Sequence, residues 1–360
     1  MIAAGKTGGH IFPGIALARE IRARRPDAPI VFIGTPEGLE HRLVPEAGFP
    51  LESVRSSGFV GKSLAARMRA LVNLPLGFFQ ARRILRRHRA RAVAGMGGYV
   101  SIPVLAAARS LGIPTLVHDS DALPGVASRL LNRIATRTAV GVAAANARLV
   151  RPGVVTGTPV RPEFFAVPDE TALRGRPGRP GRVLVFGGSQ GAAVLNRAMA
   201  GAARTLQGDG LSVIHQTGER HLASTRALYG ELPAGWSLEA FLPRLWEPLA
   251  WADLVVAGAG AMTLAELAAA GRPAILVPFA AAAHGHQAAN ALAFAQAGAA
   301  LTLDEAAADG LRLAESIRSL FADPARLAAM GKAARALAAP DAARLLAELL
   351  FEAEAAGRAA

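Results

Sequence analysis

Arg182-Val-Leu-Val-Phe-Gly-Gly-Ser-Gln-Gly-Ala-Ala-Val-Leu-Asn196 is the stretch whose reading decides the fold. Residues 182–186 read as a buried strand, residues 187–191 as a glycine turn, and an Ala/Leu-rich helical pattern follows. Strand, turn and helix start in this order build an anion site. Glycines allow a tight turn and close backbone approach, and the first unpaired helix amides, backed by the dipole, face whatever sits there. Ser189 adds a hydroxyl. A tight turn with no ligand has the same local sequence, so the weight comes from two further glycine turns, Thr7-Gly-Gly-His10 and Gly95-Met-Gly-Gly-Tyr-Val-Ser101.

Outward from this stretch the same grammar repeats. Strands are expected at 183–186, 212–216, 254–257 and 274–277, each followed by a helix, with closing helices at 325–338 and 342–355. Upstream, residues 1–7 end a short first strand, a helix runs from about residue 13 to 25, 30–34 is a strand, and 38–47 is a helix stopped by Gly48. Residues 64–91 form a long basic helical region interrupted near Pro75. Further strands are expected at 93–96 and 114–118, the latter running into His118-Asp-Ser-Asp-Ala-Leu-Pro-Gly125 and a helix through Arg133. Such alternation means α/β architecture with parallel sheets covered on both faces. Pro159, Pro162, Pro168, Pro177 and Pro180 break the pattern. The expected organisation is a first Rossmann-like domain at 1–158, a linker at 159–181, a second at 182–340 and a closing helix at 341–360. Two doubly wound domains bind ligands at the carboxyl ends of their strands, in the cleft between them. The first strand is short for this class, as if clipped, and its shortening is expected to loosen the loop bearing His10. The Gly5-Lys-Thr7 triplet lacks the upstream glycine of a P-loop.

Composition narrows the classes. A chain of 360 residues, 52% hydrophobic, is not disordered, and without cysteine neither disulfides nor a thiolate metal site arises. No signal peptide is visible, nothing points outside the cytoplasm, and the uncharged stretch 273–303 carries too many polar residues for a membrane span. The net charge of +13 is uneven: residues 1–155 hold 22 Lys+Arg against 8 Asp+Glu, whereas residues 156–360 hold 18 against 19. No acid lies between Glu52 and Asp119. A basic half suits a phosphorylated substrate, an anionic membrane or nucleic acid, or is simply a solvated face. With two tyrosines, three tryptophans and no interleaved aromatic pattern, no nucleic-acid partner is expected.

Five ordered blocks carry a family resemblance: Gly5-Lys-Thr-Gly-Gly-His10 with Phe12-Pro13, Met96-Gly-Gly-Tyr-Val-Ser101, Gly187-Gly-Ser-Gln-Gly191, Gly260-Ala-Met-Thr-Leu-Ala-Glu266 and His286-Gln-Ala-Ala-Asn290. Over nearly the whole chain they resemble the MurG family, GT-B glycosyltransferases that move N-acetylglucosamine from UDP-GlcNAc to lipid I, giving lipid II. The resemblance implies a peripheral enzyme on the cytoplasmic face of the cell membrane. It assigns Glu266 to the ribose hydroxyls, and Gly260, Ala261, Met262 and Thr263, followed by Leu264 and Ala265, to the donor pyrophosphate together with the Ser189 turn. Leu242 would supply backbone partners to uracil, Arg161 would contact the donor, and Gln287 and Asn290 would lie near the sugar. Thr7, Gly8, Gly9 and His10 would lie over the sugar and acceptor. The implied reaction is one inverting displacement needing a base, for which His10 is the candidate, and stabilisation of the leaving diphosphate. Helix N-termini and Ser189 serve the latter, so no metal or cofactor is expected. Leu74, Phe78 and Phe79 would dip into the lipid interface while Arg82, Arg83, Arg86 and Arg87 meet anionic head groups. A buried helix with a basic outer face is the alternative.

Three positions depart from the family pattern. Asp121 stands where the family's His-Glu-Gln-Asn motif has an amide, placing a negative charge near the donor sugar. Asp119 and Asp121 also spell the Asp-x-Asp that holds a metal in other glycosyltransferases. Ala259 replaces a common serine, and the first strand is clipped. These departures leave open a transferase with another sugar nucleotide or acceptor, and a non-catalytic nucleotide-binding homologue.

Overall fold

The computed structural model describes residues 1–56, 64–168, 180–188, 191–279 and 285–359, with backbone alone at 64–72 and 358–359. Two compact units result, Met1–Arg161 with Ala339–Ala360, and Pro162–Ala338.

The first unit is a seven-stranded sheet of β1 (Ile2–Ala3), β2 (Phe32–Gly34), β3 (Leu51–Ser53), β4 (Val93–Gly95), β5 (Thr115–Asp119), β6 (Arg137–Val140) and β7 (Val154–Val155), in the order β3-β2-β1-β4-β5-β6-β7. All its pairings are parallel. Its helices are α1 (Gly8–Arg24), α2 (Glu40–Glu46), α3 (Leu64–Arg87), α4 (Ser101–Ser110) and α5 (Val126–Asn132). Although β1 has only two residues, Ile2 pairs with both Phe32 and Ala94, so a central place in the sheet compensates for length. The loop that follows is bonded to the neighbouring connection: the Lys6 amide donates to Glu40 Oε2 at 2.8 Å.

Two helices differ from expectation. Proline was read as the first residue of α1, but the helix begins at Gly8, where the Thr7 carbonyl accepts from the His10 and Ile11 amides. Pro13 then forfeits only the bond to the Gly9 carbonyl. α3 runs unbroken through Pro75, which faces solvent. Burial of Ile84 and Leu85 on its inner face, about 1.5–3 kcal/mol for each large apolar side chain, offsets a proline cost of about 3 kcal/mol.

The second unit is a six-stranded parallel sheet of β8 (Arg182–Phe186), β9 (Ser212–Gln216), β10 (Trp236–Glu239), β11 (Leu254–Ala257), β12 (Ala274–Leu276) and β13 (Ala300–Thr302), in the order β10-β9-β8-β11-β12-β13. It is covered by α6 (Ala193–Leu206), α7 (Leu222–Tyr229), α8 (Trp246–Trp251), α9 (Ala261–Ala270), α10 (His286–Gln296), α11 (Gly310–Phe321) and α12 (Pro324–Ala336). Part of the expected linker packs on this unit: Phe164 is fully buried edge-on against Trp246, and buried Arg272 donates to the Pro168 carbonyl at 3.1 Å. The remainder, 169–179, lies outside the described residues.

The last helix, α13 (Ala342–Ala359), returns to the first unit. Leu346, Ala347 and Leu350 join Ile2, Ile11 and Phe32 in one core, and Arg25 pairs with Glu354 at 2.6 Å.

In each sheet the strand order reverses once, between β1 and β4 and between β8 and β11. Because all strands of a sheet are parallel, the loops after their carboxyl ends share one rim. At the reversal, successive connections leave in opposite directions and open a crevice there.

Candidate functional site

On the first unit's rim the β1 and β4 loops meet around His10. Gly97 and Gly98 both have positive φ, 87° and 72°. A Cβ on Gly97 would lie 2.9 Å from His10 Cδ2, and one on Gly98 3.3 Å from Cε1. The second glycine turn is therefore the seat of an imidazole, a role its sequence did not reveal. Exposed Thr7 places its Oγ1 3.3 Å from His10 Nδ1. In the tautomer where Nδ1–H donates to Thr7, Nε2 keeps a free lone pair. Gly8 is buried, and Gly9 is partly exposed beside His10 on the first turn of α1. No side chain caps this helix start.

His118, at the end of β5, is 1% exposed, and its Nε2 donates to the Gly157 carbonyl at 3.1 Å. Burial pushes the ring's pKa down to about 4, partly opposed by that hydrogen bond and assisted by nearby His10. Asp119 accepts from the Asp121 and Gly125 amides at 3.0 and 3.1 Å, so its carboxylate builds the loop. Burial and the neighbouring Asp121 charge raise its pKa, against hydrogen bonds from Ser128 and those amides. Among the described residues no group of three or more His, Cys, Asp or Glu is arranged to hold a metal ion. Asp121 itself is partly exposed on the same rim. Arg161 lays its guanidinium 4.6 Å from the Phe12 ring centroid, which ties it to α1.

The second unit's rim repeats the plan. After β8, the Gly191 amide closes on the Gly188 carbonyl at 3.0 Å, and both glycines have positive φ. A Cβ on Gly191 would lie 2.0 Å from the Thr217 carbonyl oxygen, so only glycine fits. Ser189 lies outside the described residues. Across the reversal, α9 starts from Gly260 with no side-chain cap and no acid in its first turn, so its dipole end is not neutralised by a side chain of that turn. Ala261, Met262, Thr263 and Ala265 are partly exposed, Leu264 is buried, and Glu266 is 6% exposed on the second turn. Leu242 follows β10 on this rim and is partly exposed.

Gln287 and Asn290 do more for the backbone than the sequence suggests. Gln287 Oε1 accepts from the Ala259 and Phe279 amides at 3.2 and 2.9 Å, and Asn290 Nδ2 donates to the Ala259 carbonyl at 3.1 Å. Buried Asn290 is thus a clamp on the turn before α9, whereas half-buried Gln287 makes both of these bonds through its amide oxygen. Ala259 is fully buried, so what this position contributes is its clamped backbone.

Two polar groups went unrecognised in the sequence. One is Glu40. The other is a buried chain behind the glycine turn: Asn196 Nδ2 donates to the Thr217 carbonyl at 3.0 Å, its Oδ1 accepts from His215 Nε2 at 3.0 Å, and Tyr229 donates to His215 Nδ1 at 2.8 Å. Burial lowers the His215 pKa to about 3, so the ring stays neutral while the unfolded chain takes up a proton below its ordinary value of about 6.5. This contribution to stability is complete above about pH 6.5 and is lost as pH falls toward 3, at up to about 1.4 kcal/mol per pH unit. All three tryptophans lie in the second unit. Urea unfolding followed by their fluorescence is expected to lose stability between pH 6 and 4.5 more steeply in the wild type than in His215→Gln. Equal slopes would contradict this.

Comparison with known proteins follows the same two halves. The glycosyltransferase family 28 N-terminal domain model matches residues 1–140, and the family 28 C-terminal domain model matches residues 182–346. A UDP-N-acetylglucosamine--N-acetylmuramyl-(pentapeptide) pyrophosphoryl-undecaprenol N-acetylglucosamine transferase of Methylococcus capsulatus is 43% identical over 353 residues, 98% of this chain and 98% of the relative. A protein of the same name from Acidithiobacillus ferrooxidans is 43% identical over 354 residues, 98% of this chain and 97% of its own. The crystal structure of Acinetobacter baumannii MurG superposes with a TM-score of 0.79 at 30% identity, covering 98% of this chain and 99% of that one.

Proposed function

The chain belongs to glycosyltransferase family 28 and, within it, to the MurG transferases, and from that premise we propose that it transfers N-acetylglucosamine from UDP-GlcNAc to the muramoyl 4-hydroxyl of lipid I, giving lipid II for peptidoglycan synthesis. The observation that carries this reading is identity of 43% over 98% of both chains with a transferase of that name. The second unit binds the donor. Amides at the turns after β8 and β11 meet the pyrophosphate, Glu266 accepts from the ribose hydroxyls, the Leu242 backbone meets uracil, and Gln287 reaches the sugar through its amide nitrogen. The first unit brings Thr7, Gly8, Gly9 and His10 to the acceptor, with Asp121 and Arg161 at the donor's edge. In the displacement, the 4-hydroxyl oxygen forms the bond to the anomeric carbon while its proton passes to His10 Nε2. The bond to the diphosphate breaks and UDP leaves with its electrons, stabilised by the helix amides.

The acceptor's undecaprenyl chain stays in a bilayer, so the enzyme works at a membrane surface. Among the described residues no helix is long and apolar enough to cross one. Support for a peripheral contact comes from α3. Phe79 is 67% exposed and Leu76 41% exposed, beside exposed Arg83 and Arg86. The contact is narrower than the sequence suggests. Phe78 packs on the core, Arg82 donates to Ser110 Oγ at 2.6 Å, and Arg87 pairs with Glu52. Leu74 is half-buried. Each free arginine near an anionic surface contributes roughly 1 kcal/mol. One experiment addresses both parts: turnover of labelled UDP sugars with a lipid I analogue in neutral and anionic vesicles. The expected result is transfer from UDP-GlcNAc in preference to other UDP sugars, enhanced on anionic vesicles in a salt-sensitive manner. No transfer would overturn the activity, and equal rates on both vesicles would overturn the membrane contact.

A further inference from the structure

We infer that Glu40, which lies in neither glycine turn, is the positioning residue that sets the geometry of the His10 loop. Its carboxylate is completely buried and bridges two connections at the first unit's rim. Oε2 accepts from the Lys6 amide at 2.8 Å, while Oε1 accepts from the Thr35 amide at 2.8 Å and the Thr35 hydroxyl at 2.7 Å. Burial opposes the charge, but these hydrogen bonds and the Glu40 amide outweigh it and hold the pKa below the ordinary carboxylate value. The slot admits no side chain from its walls: a Cβ on Gly5, Gly34 or Gly38 would lie 2.7, 2.6 or 2.1 Å from Glu40 atoms. Lys6, the residue it grips, has φ of +71°, a left-handed conformation that non-glycine residues adopt only when held. The next residue, Thr7, is both the cap position of α1 and the partner of His10 Nδ1. The line of constraint therefore runs from a carboxylate on α2, through a strained Lys6, to the orientation of the His10 ring. The two glycines after β4 complete the seat from the other side.

The inference rests on the transferase reading for its kinetic consequence but not for its structural one, and Glu40→Gln in the full chain tests both. The substitution keeps the shape while turning one acceptor oxygen into an amide NH2, which faces either the Lys6 or the Thr35 donors without accepting from them. The expected kinetic result is kcat for transfer to the lipid I analogue lowered about 10- to 50-fold, a loss within the range for misplaced catalytic groups. The KM for UDP-GlcNAc stays within about twofold of wild type, since Glu40 bonds only within the first unit. The pH profile keeps its position and loses height, because Glu40 orients the base without exchanging the proton. Hydrogen exchange of the Lys6 and Thr35 amides accelerates at least about tenfold, whereas amides at 258–266 remain at wild-type rates. Wild-type kcat, or unchanged exchange at Lys6, would overturn the inference. Accelerated exchange in both units would do so too, as global destabilisation. If the wild-type protein transfers no sugar, the transferase reading fails, and the exchange result alone still decides whether Glu40 holds the loop.

Discussion

Replacing His10 with alanine lowers kcat by about 10²–10⁴-fold at saturating UDP-GlcNAc, the range that a positioned general base contributes. Its donor KM stays near wild type. The separation follows from the arrangement of the chain: His10 sits on α1 of the first unit, whereas the proposed ribose, uracil and pyrophosphate contacts, Glu266 and Leu242 among them, belong to the second. The seat strengthens the case for a base over a packing residue. A histidine buried for packing has both nitrogens engaged or excluded from solvent, as His118 and His215 do with their depressed pKa values. His10 is instead partly exposed on the rim where strand order reverses, with only Nδ1 facing Thr7. Steady-state kinetics with varied donor at fixed lipid I analogue checks the result, and near-normal turnover would remove the base role.

The second large effect is expected at Glu266. Glu266→Ala raises the KM for UDP-GlcNAc by roughly 100-fold, the factor equivalent to about 3 kcal/mol for losing charge-assisted hydrogen bonds to two hydroxyls. Glu266→Gln, which retains one acceptor oxygen, falls between. At saturating donor, kcat remains within a few-fold of wild type, because a ribose contact is made equally in ground and transition states. Stabilisation of the protein by UDP, read as a thermal shift, is lost in parallel. A donor KM unchanged in Glu266→Ala would place the ribose elsewhere and leave Glu266 as a buried acid of α9 alone.

These two experiments probe different levels of legibility. Strand, glycine turn and helix could be read directly at β8 and β11, because central strands of a parallel sheet are buried on both faces and appear as continuous apolar runs. The edge strands were not placed: β3, β7, β10 and β13 each end a sheet. They are short and half-exposed, as Val154 and Val155 are at 47%, so no apolar run marks them. Pro13 misled because proline favours a first helical position yet is tolerated within the second turn, where it forfeits one bond.

The site divides along the same line. Five ordered blocks named the family and pointed to His10, Glu266 and Gln287, since glycine spacing and a polar residue beside it are local properties of the chain. Gly97 and Gly98 looked like a third anion turn, but what requires glycine there is the His10 ring, some 87 residues away. Glu40 carries no local signal in the sequence, and only the fold brings Lys6, Thr35 and three glycines around it. Asn290, expected near the sugar, also holds the Ala259 carbonyl, a contact no local pattern announces. By itself the sequence determined the backbone plan, two α/β sheets with glycine turns at their reversals, because periodicity and glycine record what each short segment needs locally. Only the tertiary structure decided which polar groups remain free for a substrate and which are consumed in holding the turns. A hydrogen bond between residues far apart in the chain depends on how strands are ordered, and that leaves no mark on either segment alone.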